Sequence, residues 1–313
     1  MSAVPSFELD LPDLAVHRGD GPVPYAHRLT APDGVPGPHA LIAAIVHGNE
    51  PCGAILLDRM RPARGTLTLL FANPGAYARF DPAAPFASRA EVEDMNRLWS
   101  PAILDAPVRS PDHRRAKTLR ALVATADTLL DLHSTPTDGP PLILTGLAAK
   151  NQTLAETLAT GFDIVRDAGH AEGVRLRDYG PFADPDDPRT ALLVECGQHW
   201  HRRTVATAAA VTARFLACHG MLPVGDATLP DPGPSEIPSR LLRVTDAITA
   251  ESPSFHFLDD YQGQERIPAA GTAIARDGDR TITTPYDDCI LVMPTPNARP
   301  GQTALRFARE EAA

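Results

Sequence analysis

Along the first two-thirds of the chain, apolar runs of strand length alternate with segments whose apolar residues recur at helical spacing. Strands are predicted at 40–46, 66–72, 128–132, 141–145, 162–165 and 191–194, and helices at 51–60, 114–126, 151–160 and 204–219. In the last helix Val205, Ala208, Val211, Thr212, Phe215 and Leu216 share one face. Such alternation predicts an α/β fold, a mostly parallel or mixed sheet flanked by helices. The pattern breaks at the proline-rich stretch 222–238. Beyond it, short apolar runs at 241–244, 271–275, 281–284, 290–293 and 303–307 stand between Gly, Pro and Asp turns. Two units are therefore expected: a large α/β domain over 1–224 and a small β-rich domain over 225–313. The stretch 81–111, rich in proline and charge, reads as a long loop, and loops of that length inside a compact domain are usually functional.

Three of the predicted strands run into a residue suited to metal chemistry. The run ALIAAIV leads to His47, TLLDL to His133 and ALLV to Glu195; a fourth, TLTLLFA, leads to Asn73. In open α/β sheets ligands bind beyond the carboxyl ends of the strands, so these residues converge on one edge. HGNE sets Glu50 three residues after His47, with Pro51 opening a helix. Catalytic zinc takes three ligands from His and carboxylate groups and leaves one position for water. His133 supplies the natural third ligand; His199 and His201, in GQHWH, compete with it from beyond a strand end. Asp131 shares a strand face with His133 and could orient a neighbour. Glu195 closes an aliphatic run, where an unpaired carboxylate is costly. Either it pairs with a cation, or it is a base that takes a proton from water.

Composition narrows the partners. A hydrophobic fraction of 43% and a charged fraction of 22% describe an ordinary globular protein. The formal charge of −10 argues against nucleic acid and anionic membranes, because phosphate binding needs a basic surface. Only Lys117 and Lys150 are lysines among the 29 basic residues, so a lone arginine carries little information. Cys52, Cys196, Cys218 and Cys289 fall singly, which predicts reduced thiols rather than a disulfide framework. The opening MSAVPSFELD lacks an apolar signal core and no later run is long enough to span a membrane, so a cytoplasmic protein is expected.

With these residues in hand, the chain resembles the succinylglutamate desuccinylase and aspartoacylase family, a branch of the zinc carboxypeptidase superfamily. The likeness is carried by HGNEPCG at 47–53, NPGA at 73–76, SRAEVEDMNR at 88–97, DLHS at 131–134 and VECG at 194–197, in the family order. The resemblance implies one zinc per chain on His47, Glu50 and His133, with Glu195 as catalytic base. It assigns Asn96 and Arg97 to a substrate carboxylate, which suits the bidentate fork of a guanidinium. Arg89 matches the arginine that polarises the scissile carbonyl and stabilises the oxyanion. The family's C-terminal β-domain, which narrows the channel, fits the region after about residue 225. One element departs: an arginine that helps select the acyl carboxylate lies about ten residues before the catalytic Glu in aspartoacylase, and here that spacing reaches Pro185. Arg189 and Arg177 are substitutes without motif support, and Tyr286 and Tyr261 are candidates for a pocket hydroxyl or for the core of the β-rich unit.

The resulting expectation is hydrolysis of the amide bond in an N-acyl amino acid or a related small anionic amide, with Glu195 activating water. A carboxypeptidase acting on short peptides and a non-catalytic metal-containing binding protein are the rivals, and the intact Glu195 weighs against the second. The sequence leaves room for a homo-oligomer.

Overall fold

A computed structural model describes residues 7–56, 60–170, 172–222, 229, 231–296 and 298–311. In the first part of the chain the strands are β1 (Ala26–Thr30), β2 (His39–Ala44), β3 (Thr66–Phe71), β4 (Thr128–Thr135), β5 (Leu142–Leu144), β6 (Asp163–Arg166) and β7 (Thr190–Gln198). Helices α1 (Cys52–Leu56), α2 (Pro74–Tyr77), α3 (Pro101–Asp105), α4 (Pro111–Val123), α5 (Ala149–Leu158) and α6 (Arg202–Cys218) stand between or after them. Seven further strands follow: β8 (Leu241–Thr249), β9 (His256–Phe257), β10 (Glu265–Ile267), β11 (Ala273–Asp277), β12 (Arg280–Thr283), β13 (Cys289–Val292) and β14 (Thr303–Glu311).

Eleven of these strands form one mixed sheet in the order β1-β3-β2-β4-β7-β5-β6-β8-β14-β13-β10, and β12-β11-β9 form a small antiparallel sheet. Strands β3, β2, β4 and β7 are parallel, so their carboxyl ends share one edge. The period-two alternation of strand side chains divides the core between two faces. Ala40, Ile42 and Ala44 of β2 pack with α1, α5 and α6 on one face. Leu41 and Ala43 point to the other, with α4, Trp99 and Phe182. Both faces of the central strands are thus covered, as purely aliphatic runs such as ALIAA require. The α/β expectation holds, with its small C-terminal antiparallel sheet.

Several local expectations shift. Strand β4 continues through His133 to Thr135 and β7 through Glu195 to Gln198, so both residues lie inside the ladder rather than at its end. The polar residues carry on the strand because their neighbour strand offers hydrogen bonds there: His133 and Glu195 face each other in register. The stretch 81–111 holds α3 and two single 3₁₀ turns, at Ala87–Arg89 and Met95–Arg97, instead of a structureless loop. Helix α1 is described only over Cys52–Leu56, because 57–59 of the helix predicted at 51–60 lie outside the described residues. The expected domain junction at 224/225 also falls outside them. After it, β8 pairs in parallel with β6, joining the C-terminal strands to the main sheet, and Leu142, Val165, Leu242, Ile290 and Val292 bury that seam. Among the described residues no helix is long and apolar enough to cross a membrane.

Candidate metal centre and active site

Just after β2 the chain turns at Ile45, whose φ of 51° is a left-handed conformation that a β-branched residue adopts only under strain. Such strain costs on the order of 1–3 kcal/mol and collects at functional sites. It delivers His47. The following Gly48 is needed for space, since a Cβ there would sit 2.4 Å from the Ala76 and Tyr77 backbone and 2.5 Å from the Ser88 carbonyl. Gly48 N–H in turn donates to the Arg89 carbonyl at 3.1 Å, fastening the Arg89 turn to the HGNE turn.

Glu50 is the hub. Its Oε1 lies 2.8 Å from His47 Nδ1, and its Oε2 lies 2.9 Å from His133 Nδ1 and accepts the Ser134 N–H at 3.2 Å. The His47 and His133 rings stand 4.9 Å apart, and ligand atoms of the three residues all lie within 4.8 Å of one another. All three are buried. Burial alone would raise the Glu50 pKa, yet His47 and His133 outweigh it and hold the carboxyl well below its ordinary range. Asp131 lies 3.1 Å from His133 Nε2, behind the ring as the strand period predicts.

Asp94 extends the cluster on the other side. Its Oδ1 is 3.0 Å from His47 Nε2 and its Oδ2 accepts from Arg89 Nη2 at 3.0 Å. Arg89 Nη1 also reaches Glu50 Oε1 at 3.4 Å. The loop leading to Asp94 is held by buried Asp112, which accepts the N–H groups of Glu91, Val92 and Glu93 and the Asn73 side chain. Asn73 therefore serves the scaffold: it also caps α2 through the Ala76 N–H.

Asn96 accepts the Leu176 N–H on its Oδ1 at 2.8 Å, which fixes the amide with its NH₂ turned away from that bond. Arg97 pairs with Glu172 at 3.3 Å and lies 3.8 Å from Asp94. Residues 167–170 and 172–178 form a strap beside this segment. Arg175 grips Asp167 through two hydrogen bonds of 2.9 and 2.7 Å, and Arg306 of β14 lies 3.9 Å from the same carboxylate. Despite burial, Asp167 is held far below its usual pKa by Arg175 and its neighbours.

Glu195 is only 7% exposed and its Oε2 has no hydrogen-bond partner. Burial, reinforced by the Glu50 carboxylate, pushes its pKa up to about 8, against the pull of His133 and Arg89. His199 is outside the ligand cluster: its Nδ1 bonds Ser134 Oγ at 2.7 Å, and burial lowers its pKa to about 4. His201 precedes α6 as its N-terminal flank.

The donor set fits a divalent cation. Two imidazoles and a carboxylate converge on one buried point, as open catalytic zinc sites require.

Of the remaining candidates, Arg177 pairs with Asp178 at 2.5 Å and Arg189 with Asp187 at 2.7 Å. Tyr286 bonds Thr245 beneath Arg309, and with Tyr261 it packs on the C-terminal core. All four cysteines are free. Sequence reasoning missed the roles of Asp94 and Asp112 and the strap around Asp167. Asp94 joins His47, 47 residues before it, to Arg89, and Asp112 holds N–H groups 19 to 21 residues before it, contacts that motif spacing does not announce.

Comparison with known proteins agrees with this geometry. Residues 36–172, which include His47, Glu50, Arg89, Asn96, Arg97 and His133, match the model of the succinylglutamate desuccinylase/aspartoacylase catalytic domain. Among curated proteins no match is found. Solved structures with the same fold include a succinylglutamate desuccinylase of Vibrio parahaemolyticus, at 16% identity and TM-score 0.65 over 91% of each chain. A succinylglutamate desuccinylase/aspartoacylase of Rhodobacter sphaeroides is similar at 17% identity and TM-score 0.65, over 92% of this chain and 89% of that one. The product-bound ectoine utilization protein EutE (DoeB) of Ruegeria pomeroyi is similar at 18% identity and TM-score 0.63, over 91% and 88%. By the match over residues 36–172, that part of the chain is identified with the catalytic domain of the succinylglutamate desuccinylase/aspartoacylase family, and the fold of the described chain agrees with it.

Proposed function

We propose that the protein is a zinc-dependent amidohydrolase cleaving the amide bond of an N-acyl amino acid, or of a related small amide that carries a free carboxylate. The observation that carries this reading is the pairing of His133 with Glu195 across β4 and β7, which sets a buried carboxylate of raised pKa beside the His47–Glu50–His133 cluster. A zinc ion held by those three residues would supply Lewis acidity toward the carbonyl and toward a water.

The chain's own groups do the rest. Glu195 accepts a proton from the attacking water and returns it to the leaving nitrogen, a role suited to a base poised near neutral pH. Arg89 donates to the carbonyl oxygen as negative charge gathers there; Glu50 and Asp94 hold its guanidinium before substrate arrives, so little reorganisation is needed. Arg97 and the Asn96 NH₂ take the substrate carboxylate, with Glu172 yielding its place on Arg97.

The test is turnover of a panel of N-acyl amino acids by zinc-loaded protein, with and without chelator, beside dipeptides bearing a free C-terminus. Chelator-sensitive release of free amino acid from the N-acyl panel is expected. Faster cleavage of the dipeptides would replace this reading with a carboxypeptidase, and no turnover of either set would leave a binding protein.

A further inference from the structure

The rim of the site on the side of His133 is aromatic. His199 and Trp200 follow the end of β7, and the Phe86 ring packs against both, with centroids 6.3 and 5.3 Å away. Phe7 and Phe80 complete the group around Trp200, at 6.1 and 6.2 Å. Trp200 is fully buried, yet Phe86 is 49% and Phe7 39% exposed. A half-exposed phenylalanine stacked on a buried aromatic layer is an open apolar surface beside a reaction centre, and it asks for an occupant.

Its place in the site identifies that occupant. From Glu50 the contacts run to Ser134, from Ser134 to His199, and from His199 to Phe86. Phe86 also stands three residues before Arg89 and its carbonyl accepts the Arg89 N–H. Arg97, with its Glu172 and Asp167 strap, reaches the cluster through Asp94 instead. A substrate with its carboxylate on Arg97 and its carbonyl at Arg89 therefore lays its acyl chain toward Phe86. Of the guanidinium groups next to Phe86 and Phe7 in the chain, Arg89 is directed to Glu50 and Asp94, and to the carbonyl in the proposed reaction, and Arg202 donates to the Glu8 backbone carbonyl. Arg177 and Arg189, the sequence candidates for an acyl-side arginine, pair through their Nη2 atoms with Asp178 and Asp187 rather than with the Phe86, His199 and Trp200 group.

We propose that Phe86, backed by His199 and Trp200, is the specificity-determining contact for the acyl group, and that this group is apolar, aliphatic or aromatic, rather than carboxylated. This rests on the hydrolase reading above. It is tested on the full-length, zinc-loaded enzyme with one amino acid carrying acetyl, butanoyl, hexanoyl, benzoyl or succinyl groups. In the wild type kcat/KM rises about two- to fourfold per methylene from acetyl to hexanoyl. Succinyl, equal in chain length to butanoyl but ending in a charge, falls at least about tenfold below it. In Phe86→Ala the hexanoyl-to-acetyl ratio drops about tenfold, mainly through KM, whereas Phe86→Leu keeps most of it. A flat series, succinyl equalling or exceeding butanoyl, or an unchanged ratio in Phe86→Ala overturns the inference while leaving the hydrolase intact. Should Phe86→Ala fail to fold, the wild-type series and Phe86→Leu decide. Failure to hydrolyse any member defeats the hydrolase reading, and this inference with it.

Discussion

A buried carboxylate oxygen without a donor is costly when ionised, and burial beside Glu50 accordingly pushes the Glu195 pKa up to about 8. Gln at 195 is nearly isosteric and cannot take a proton. Glu195→Gln should therefore keep the fold and its zinc but lose about 10²- to 10⁴-fold in kcat, measured with zinc content by elemental analysis and thermal melting as controls. Near-wild-type turnover would remove Glu195 from the proton path. This residue was legible because a lone acid at the end of ALLV has few structural explanations; His47, Glu50 and His133 were legible for the same reason, together with their shared sheet edge. Asp94 was not. Its value comes from touching His47 and Arg89 at once, and nothing in the order of residues along the chain announces a contact of that kind.

Elements position what residues carry out. The register of β4 against β7 sets His133 opposite Glu195, and a one-residue slip would turn both side chains through the sheet. The strap residues 172–178 do the same for Arg97. Gly173, at φ 147°, lies against the Arg97 backbone so closely that a Cβ would come within 2.2 Å of the Arg97 carbonyl oxygen. Leu176 N–H holds Asn96, and Trp99 N–H donates to the Val174 carbonyl at 3.1 Å, so the contact cannot relax without moving the segment. Gly173→Ala should thus shift Arg97 and raise KM for the carboxylate substrate about tenfold or more, with a smaller change in kcat. Its amide or ester analogue, which has no charge to offer Arg97, should respond far less; an equal loss on both would mean that the strap serves folding alone. The central strands and α4–α6 could be read from periodicity. Short elements such as β1, α2, β9 and β10 could not, since two to five residues give no period to detect and their pairing is decided by distant partners.

At the scale of the whole molecule, the candidate metal cluster draws its donors from separate elements. His47 and Glu50 belong to the turn between β2 and α1, and His133 to the middle of the sheet. A ligand that binds only the native arrangement stabilises it by mass action, about 2.7 kcal/mol when free zinc is a hundredfold above its dissociation constant. Unfolding a chain of 313 residues carries an entropy on the order of 0.66 kcal/mol/K near 60 °C, so zinc at that level should raise Tm by about 4 °C. His133→Ala should lose most of the zinc-dependent rise and most of the bound metal. His199→Ala should keep both, since His199 bonds Ser134 rather than joining the converging donors. The comparison is made by thermal melts with and without chelator, alongside elemental analysis of each variant. A zinc response retained in His133→Ala and lost in His199→Ala would move the third ligand from the C-terminal half of β4 to the residue beyond the end of β7, and with it the face of the site on which Glu195 must act.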